Sequence, residues 1–239
     1  MNLIIFNIIY IIIYIMQNTY TNIQYSDEEV RILILENICK MLIKRKYMNE
    51  EKYIDKKTHN INTKLFLSFI GSYNENSIYF IPLDTNYKNE RSSSKEFNGM
   101  TVVVKLISQS VKDVANSHVL NDFFTSYKAY HKIIVFDDIT DKVYNTIAHK
   151  KNSEVFSKNA LLIDLMSHKG MPNDCSFVST DDIKHILNPK FAKIHENDPL
   201  CRYYNGKTGM IMRIVYASIN SIQDVRYRNV IEPKPYFYN

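Results

Sequence analysis

Apolar residues recur along this chain at two spacings, one helical and one extended, and the places where the spacing changes outline its elements. Val30, Leu33, Ile34, Ile38, Met41 and Leu42 fall three or four apart, which is the period of one helix face. Ser26 followed by Glu29 is a capping-box pair, so the pattern predicts a helix from Ser26 to about Tyr47. Ile32, Leu35 and Ile43 widen the stripe. A helix apolar over so broad an arc is covered on more than one side, which suits packing against a sheet.

Shorter runs follow. Lys64–Ile70 and Ile78–Leu83, separated by a turn at Gly71–Ser77, read as a hairpin, and the polar stretch from Asp84 to Asn98 reads as an exposed loop. Met100–Ile107 predicts a strand, Val111–Tyr130 a helix, Lys132–Phe136 a strand, and Thr140–His149 a helix capped by Thr140. This alternation favours α/β layers over roughly residues 17–158. After Asn159 the pattern changes to a strand at Leu161–Met166, a helix beginning around Ser179-Thr180, and a stop at Asn188-Pro189. A short helix comes next, with Asp198 as N-cap and Pro199 at the first position, where its missing N–H is harmless. Strands Met210–Val215 and Val225–Ile231 then pair around a Ser218–Gln223 loop, which makes a small α+β unit with its own core.

The beginning of the chain fits neither period. Leu3 to Ile15 is an almost unbroken apolar run of thirteen residues, short of the ~20 a spanning helix needs. It has no basic flank and no small-residue cleavage site, so a cleaved signal peptide is poorly supported. Three readings stay open: translation that starts at Met16, a membrane-active segment, or a buried extra element.

Composition narrows the function classes. The chain has 239 residues, 45% hydrophobic and 23% charged, with five Gly and six Pro, as expected of a globular protein without low-complexity linkers. Its net charge of +5 is spread thinly: residues 1–158 carry 20 basic against 17 acidic side chains, and residues 159–239 carry 10 against 8. Lys44-Arg45-Lys46 and His149-Lys150-Lys151 read either as phosphate contacts or as solvated helix ends. Cys39, Cys175 and Cys201 have no C-x-x-C spacing, and the seven His form no metal-ligand pattern, so neither a disulfide framework nor a zinc site is indicated. Three cysteines without a pairing pattern suit a reducing compartment.

Two catalytic patterns fail on spacing. Gly206-Lys207-Thr208 resembles the end of a phosphate-binding loop, but position 201, where the first Gly would stand, is Cys, and a strand rather than a helix follows. A metal-dependent nuclease of the PD-(D/E)-x-K type would use Asp84 and Lys105, yet the position two before Lys105 is Val103, so a second carboxylate for the metal is missing. Asp137-Asp138 at a strand end read as the start of the turn into the Thr140 helix rather than as a cation site.

One resemblance is specific. "DPLCRYYNGKTGMIMRIVYAS" followed by "DVRYRNVI" resembles the C-terminal assembly domain of the fifth subunit shared by the eukaryotic nuclear RNA polymerases, a family that also has archaeal members. The matching features are Asp198-Pro199, Arg202-Tyr203-Tyr204, Lys207 with Gly209, the strand through Ile214-Val215, Ser218, and Tyr227-Arg228 with Val230. Upstream, "LLIDLMSHKGMP" looks like the family's opening strand and its His-x-x-x-Pro element at His168 and Pro172. The helix at Ser26 and the segments "TKLFLSFI" and "KIIVFDDITDKVYNTI" follow the order of the family's N-terminal jaw domain, which archaeal members lack. Departures occur at Phe191-Ala192, at Asp174, at Tyr216-Ala217 and in the tail "EPKPYFYN". Together with the Ile/Asn/Lys/Tyr bias, they suggest a virus with an AT-rich genome.

The resemblance implies an α+β protein: an apolar extension at 1–15, a jaw-like α/β domain at 16–158, and a small α+β assembly domain at 159–239. It implies no active site, no cofactor and no metal. The assembly domain would pack on the largest polymerase subunit beside other core subunits, and the jaw would approach downstream duplex DNA weakly and without sequence preference. No membrane is expected as a partner, and the location implied is the nucleus, or a cytoplasmic virus factory and the virion. Asp198, Pro199, Arg202, Tyr203, Tyr204, Lys207, Tyr227 and Arg228 are then interface candidates, although each could equally hold the small domain together. His168, Pro172 and Gly209 are expected to be structural.

Overall fold

The computed structural model describes residues 25–55, 61–62, 78–85, 98–108, 111, 114, 117–137, 139–179, 191–217 and 222–232. The apolar run at 3–15, the strand and turn expected over 64–77, most of the loop expected at 84–98 and most of the helix expected to begin around Ser179-Thr180 lie outside the described residues. Contacts divide the chain into two compact units, Met1–Ile32 and Leu33–Asn239.

Helix α1 spans Asp27–Lys44. Its capping box is formed: Glu29 N–H donates to Ser26 Oγ at 3.3 Å, and the Glu29 carboxylate accepts from Ser26 N–H at 2.7 Å. Three acids in the first turn and Lys44 in the last complement the helix dipole. Lys46, with φ +64°, ends the turn beyond it. A one-turn helix α2, Glu50–Tyr53, is capped by Asn49.

The first sheet contains β1 (Ile78–Pro82) and β2 (Asn98–Ile107), followed by helix α3 (His118–Ser126), β3 (Tyr130–Phe136), helix α4 (Asp141–Ala148) and β4 (Ser153–Ser157). The strand order is β1-β2-β3-β4. β1 is antiparallel to β2, and β2, β3 and β4 run parallel. The α/β alternation is therefore present, with α3 and α4 as the crossovers that parallel neighbours require. Both crossovers cover one face, where Val103, Ile134, Phe136 and Val155 pack with Leu120, Phe123, Val143 and Ile147. Strand register then assigns His131, Ile133 and Val135, with Glu154, to the opposite face.

The second sheet follows a turn of helix, α5 (Lys158–Leu161), and a 3-10 turn at Leu165–Ser167. Its parts are β5 (Asp174–Val178), β6 (Ala192–His195), helix α6 (Pro199–Tyr203), β7 (Ile211–Ala217) and β8 (Gln223–Ile231). The order is β5-β7-β8-β6, antiparallel except for β6 beside β8. Cys175, Met212, Ile214, Ile194 and Val230 are buried along it.

Two expectations are corrected. Leu161–Met166 is not a strand. Ser157 caps α5 by accepting from Ala160 N–H at 3.3 Å, and Asp164 accepts from Met166 N–H at 3.2 Å. These two side-chain oxygens supply turn bonds that a sheet ladder would otherwise provide, and the strand lies one segment earlier, at β4. The helix expected over Val111–Tyr130 is only α3: Ser117 caps it, and Val111 instead bridges Ile139 in extended conformation.

Ile134 is fully buried between β2, β4 and the two crossover helices. Replacing it with Ala is expected to destabilise the protein by about 2–5 kcal/mol, because the transfer term and the residual cavity add; urea unfolding followed by circular dichroism measures it.

Candidate subunit interface

The residues singled out for an interface gather around α6 and the β7–β8 pair. Asp198 caps α6, accepting from Leu200 N–H at 2.9 Å, with Pro199 at the first helical position. Tyr203 and Tyr204 are 7% exposed, and their rings sit 5.3 Å apart. Burial pushes both phenols well above the ordinary tyrosine value. They therefore face inward.

Arg202 also points into the chain. Its guanidinium lies 5.2 Å from the Tyr144 ring and 5.1 Å from the Phe156 ring, and it donates to the Val155 carbonyl. A cation between two aromatic faces, with a carbonyl at its tip, is held by ring quadrupoles and a charge-assisted hydrogen bond together. β4 is an edge strand of the first sheet, so Arg202 occupies an outward backbone acceptor there.

The Gly206-Lys207-Thr208-Gly209 turn has a specific construction. Glu196 accepts from Thr208 N–H at 2.9 Å and from Thr208 Oγ1 at 2.7 Å, and lies 3.3 Å from Lys207 Nζ. Burial works to raise the Glu196 carboxyl, but the Thr208 bonds and the Lys207 charge outweigh it and hold the group below its usual value. Gly209 adopts φ +91°, which favours glycine, and its N–H donates to the Val230 carbonyl at 3.0 Å. Gly206 packs so closely that a Cβ there would stand 2.4 Å from Cys201 Sγ and 2.9 Å from Phe177.

On β8, Tyr227 lies opposite Arg213 and stacks at 5.5 Å on Phe191. Arg228 is half-buried and donates to the Lys193 carbonyl at 3.4 Å. His168 is exposed, and its carbonyl accepts from Met171 N–H at 2.9 Å in the turn that delivers buried Pro172. Pro199 is exposed and Lys207 half-exposed, so they and β8 form the outward part of the set.

Sequence reasoning missed the strongest polar cluster. Arg45, just beyond α1, donates through Nη1 and Nη2 to the two oxygens of Glu154, both at 2.8 Å. The same guanidinium donates from Nε to the Tyr203 carbonyl at 2.6 Å and from Nη2 to the Arg202 carbonyl at 3.0 Å. His131 Nε2 lies 2.7 Å from Glu154 Oε1. The Arg45, His131 and Glu154 side chains are only 2%, 2% and 5% exposed. Desolvation alone would raise the Glu154 carboxyl, but Arg45 and His131 overcome it and hold the group well below its usual range. Burial pushes the His131 imidazole down. Lys44-Arg45-Lys46 read from sequence as solvated or phosphate-binding, and nothing local distinguishes Arg45 from its neighbours. A lone carboxylate directly before Val155 and Phe156 in the five-residue strand β4 was the available signal.

The nuclease pair does not assemble. Asp84 accepts from Lys52 Nζ at 2.8 Å and from Asn49 N–H at 2.9 Å. β1 pairs Ile78 with Lys105 and Pro82 with Thr101, so Asp84 and Lys105 stand at opposite ends of the strand pair. Among the described residues, no group of three or more His, Cys, Asp or Glu could hold a metal ion, and no helix is long and apolar enough to cross a membrane.

The fold and this turn-bearing sheet define the class: an α+β chain whose small second sheet is pinned to an α/β layer by reciprocal arginines. Comparison with known proteins makes the class specific. The family model for the RNA polymerase Rpb5 C-terminal domain matches residues 182–230, which include α6, the Lys207–Gly209 turn and most of β8. The DNA-directed RNA polymerase subunit 5 of Acanthamoeba polyphaga mimivirus is 31% identical over 143 residues, covering 57% of this chain and 69% of the relative. The chain belongs to the Rpb5 family of RNA polymerase subunits, in a diverged form similar to that of a large DNA virus.

Removing one partner from a buried ion pair leaves the other charge stranded. Arg45→Ala is accordingly expected to cost about 3–5 kcal/mol in urea unfolding, several times the effect of Lys52→Ala at the exposed Asp84 pair; a loss of similar size in the two variants would contradict this account.

Proposed function

We propose that this chain is a non-catalytic subunit of a multi-subunit DNA-directed RNA polymerase. In this reading residues 159–239 dock on the largest subunit beside other core subunits, and residues 16–158 lie near downstream duplex DNA. The observation that carries it is the likeness to the mimivirus polymerase subunit across more than half the chain, together with the match to the family's C-terminal segment. The geometry sorts the residues of that segment. Pro199, Lys207, Tyr227 and Arg228 are the contact residues we assign: Pro199 is exposed and the other three are half-buried, whereas the equally half-buried Asp198 and Arg202 are taken up by the α6 cap and by the Val155 carbonyl. Asp198, Arg202, Tyr203 and Tyr204 act from within, fixing the shape of the docking face, with Gly209, His168 and Pro172 setting its turns. Tyr227 and Arg228 are consecutive on β8 and so project to opposite faces of the sheet, and both are residue types that interfaces favour. The proposed location is the nucleus, or a cytoplasmic virus factory and the virion.

A tagged copy purified from its native setting in moderate salt is expected to bring down the two large polymerase subunits in near-equal amounts, read by mass spectrometry. A Tyr227→Ala, Arg228→Glu double variant with unchanged thermal stability is expected to lower that recovery about tenfold or more. Recovery of the chain alone, or with membrane proteins, overturns the reading.

The excess of 20 basic over 17 acidic residues in 1–158 leaves little for DNA to grip. Contact made through phosphates alone is sequence-independent and salt-sensitive. The purified full chain is expected to bind duplex DNA at physiological salt no tighter than about 10⁻⁶ M; a nanomolar Kd in fluorescence anisotropy would contradict it.

A further inference from the structure

The Arg45 cluster contains one group whose charge can change near neutral pH. His131 Nε2 faces a carboxylate oxygen at 2.7 Å, so Nε2 carries the proton in the neutral ring and donates it to Glu154. A second proton must therefore add at Nδ1, inside the core. Its charged neighbours include Glu154 on β4, Arg45 from the end of α1, and Lys132 on the same strand. Lys132 Nζ is occupied by the Tyr127 and Tyr130 carbonyls, at 3.2 and 2.8 Å. Glu154 is thus the anion shared by Arg45 and His131, and it already receives both Nη1 and Nη2 of Arg45.

What Arg45 holds beyond Glu154 gives this chemistry a mechanical consequence. Its Nε and Nη2 reach the carbonyls of Tyr203 and Arg202, at the end of α6. A guanidinium bound bidentately by a carboxylate presents its remaining N–H groups in a fixed direction. Loosening the carboxylate loosens that direction too.

We propose that Arg45, Glu154 and His131 form an acid-released latch that holds residues 199–206 against the first sheet. At neutral pH, neutral His131 and Arg45 share the Glu154 carboxylate and α6 is clamped. When His131 takes up a proton from solvent at Nδ1, one buried carboxylate must balance two buried cations, with Lys132 adjacent, and the cluster opens to admit water. The folded state disfavours the protonated ring, so the clamp is complete above the ordinary histidine value of 6.5 and weakens as pH falls below it.

The test is hydrogen–deuterium exchange of the full chain at pH 7.5 and 5.5, with exchange times scaled for intrinsic chemistry. Peptides covering 199–206 are expected to open about tenfold more at the lower pH, the sensitivity of one proton over one pH unit, while the β7–β8 ladder is unchanged. In His131→Gln, which keeps a donor but cannot charge, the increase is expected to vanish. Persistence of the increase in that variant, its absence in the wild type, or equal loss of protection in β7–β8 would each overturn the latch. If His131→Gln does not fold, the wild type decides: the pH midpoint of opening must coincide with the titration of the His131 imidazole followed by NMR, and separate midpoints reject the proposal.

Discussion

A carboxylate and a guanidinium that are both almost wholly removed from water cannot exist in that place singly. Taking either ion out of water costs several kcal/mol, and only close pairing with complete hydrogen bonding recovers it. Glu154 sits on the first sheet and Arg45 follows the long helix, so the two can be buried only when helix and sheet have met in one register. The same arginine then uses its remaining donors on the end of α6. Three parts of the chain, spread over more than 150 positions in sequence, are tied through one planar group. A lysine could not do this, because it lacks the fork that serves a carboxylate and two carbonyls at once.

Arg202 answers from the other side. It reaches back from α6 to the edge strand β4, where it fills a carbonyl and lies between Tyr144 and Phe156. An edge strand presents unpaired backbone groups that invite other chains, and this edge is partly closed from within. The two arginines make the small sheet's helix and the α/β layer mutually dependent. Tyr203 and Tyr204, read from the sequence as interface candidates or as supports of the small domain, are buried beside this junction.

Much of this was legible in the sequence where elements are long or their ends carry chemistry. The capping box at Ser26, the Thr140 cap and the Asp198-Pro199 start each announce a helix by side-chain bonds to the backbone. β2, β3, β7 and β8 carry enough β-branched residues to identify themselves. β4, β5 and β6 have four or five residues each, too few for periodicity to register. Leu161–Met166 looked like a strand because it is apolar, while Ser157 and Asp164 decide otherwise through single hydrogen bonds. The cluster of Arg45, His131 and Glu154 spans 109 positions, and its one local trace is the carboxylate in β4. The family resemblance succeeded where periodicity failed, because it rests on turns rather than on periodic runs.

The Lys207-Thr208 turn has one more consequence. A lysine ammonium, a threonine hydroxyl and a backbone N–H converging on one point form a cradle for an oxyanion, and here Glu196 fills it. An anion tethered to the same chain competes at an effective concentration that a freely diffusing ligand in the millimolar range does not exceed. The site is self-occupied. The donors of a Gly-Lys-Thr triplet that would suit a phosphate are taken up instead by a carboxylate eleven residues away.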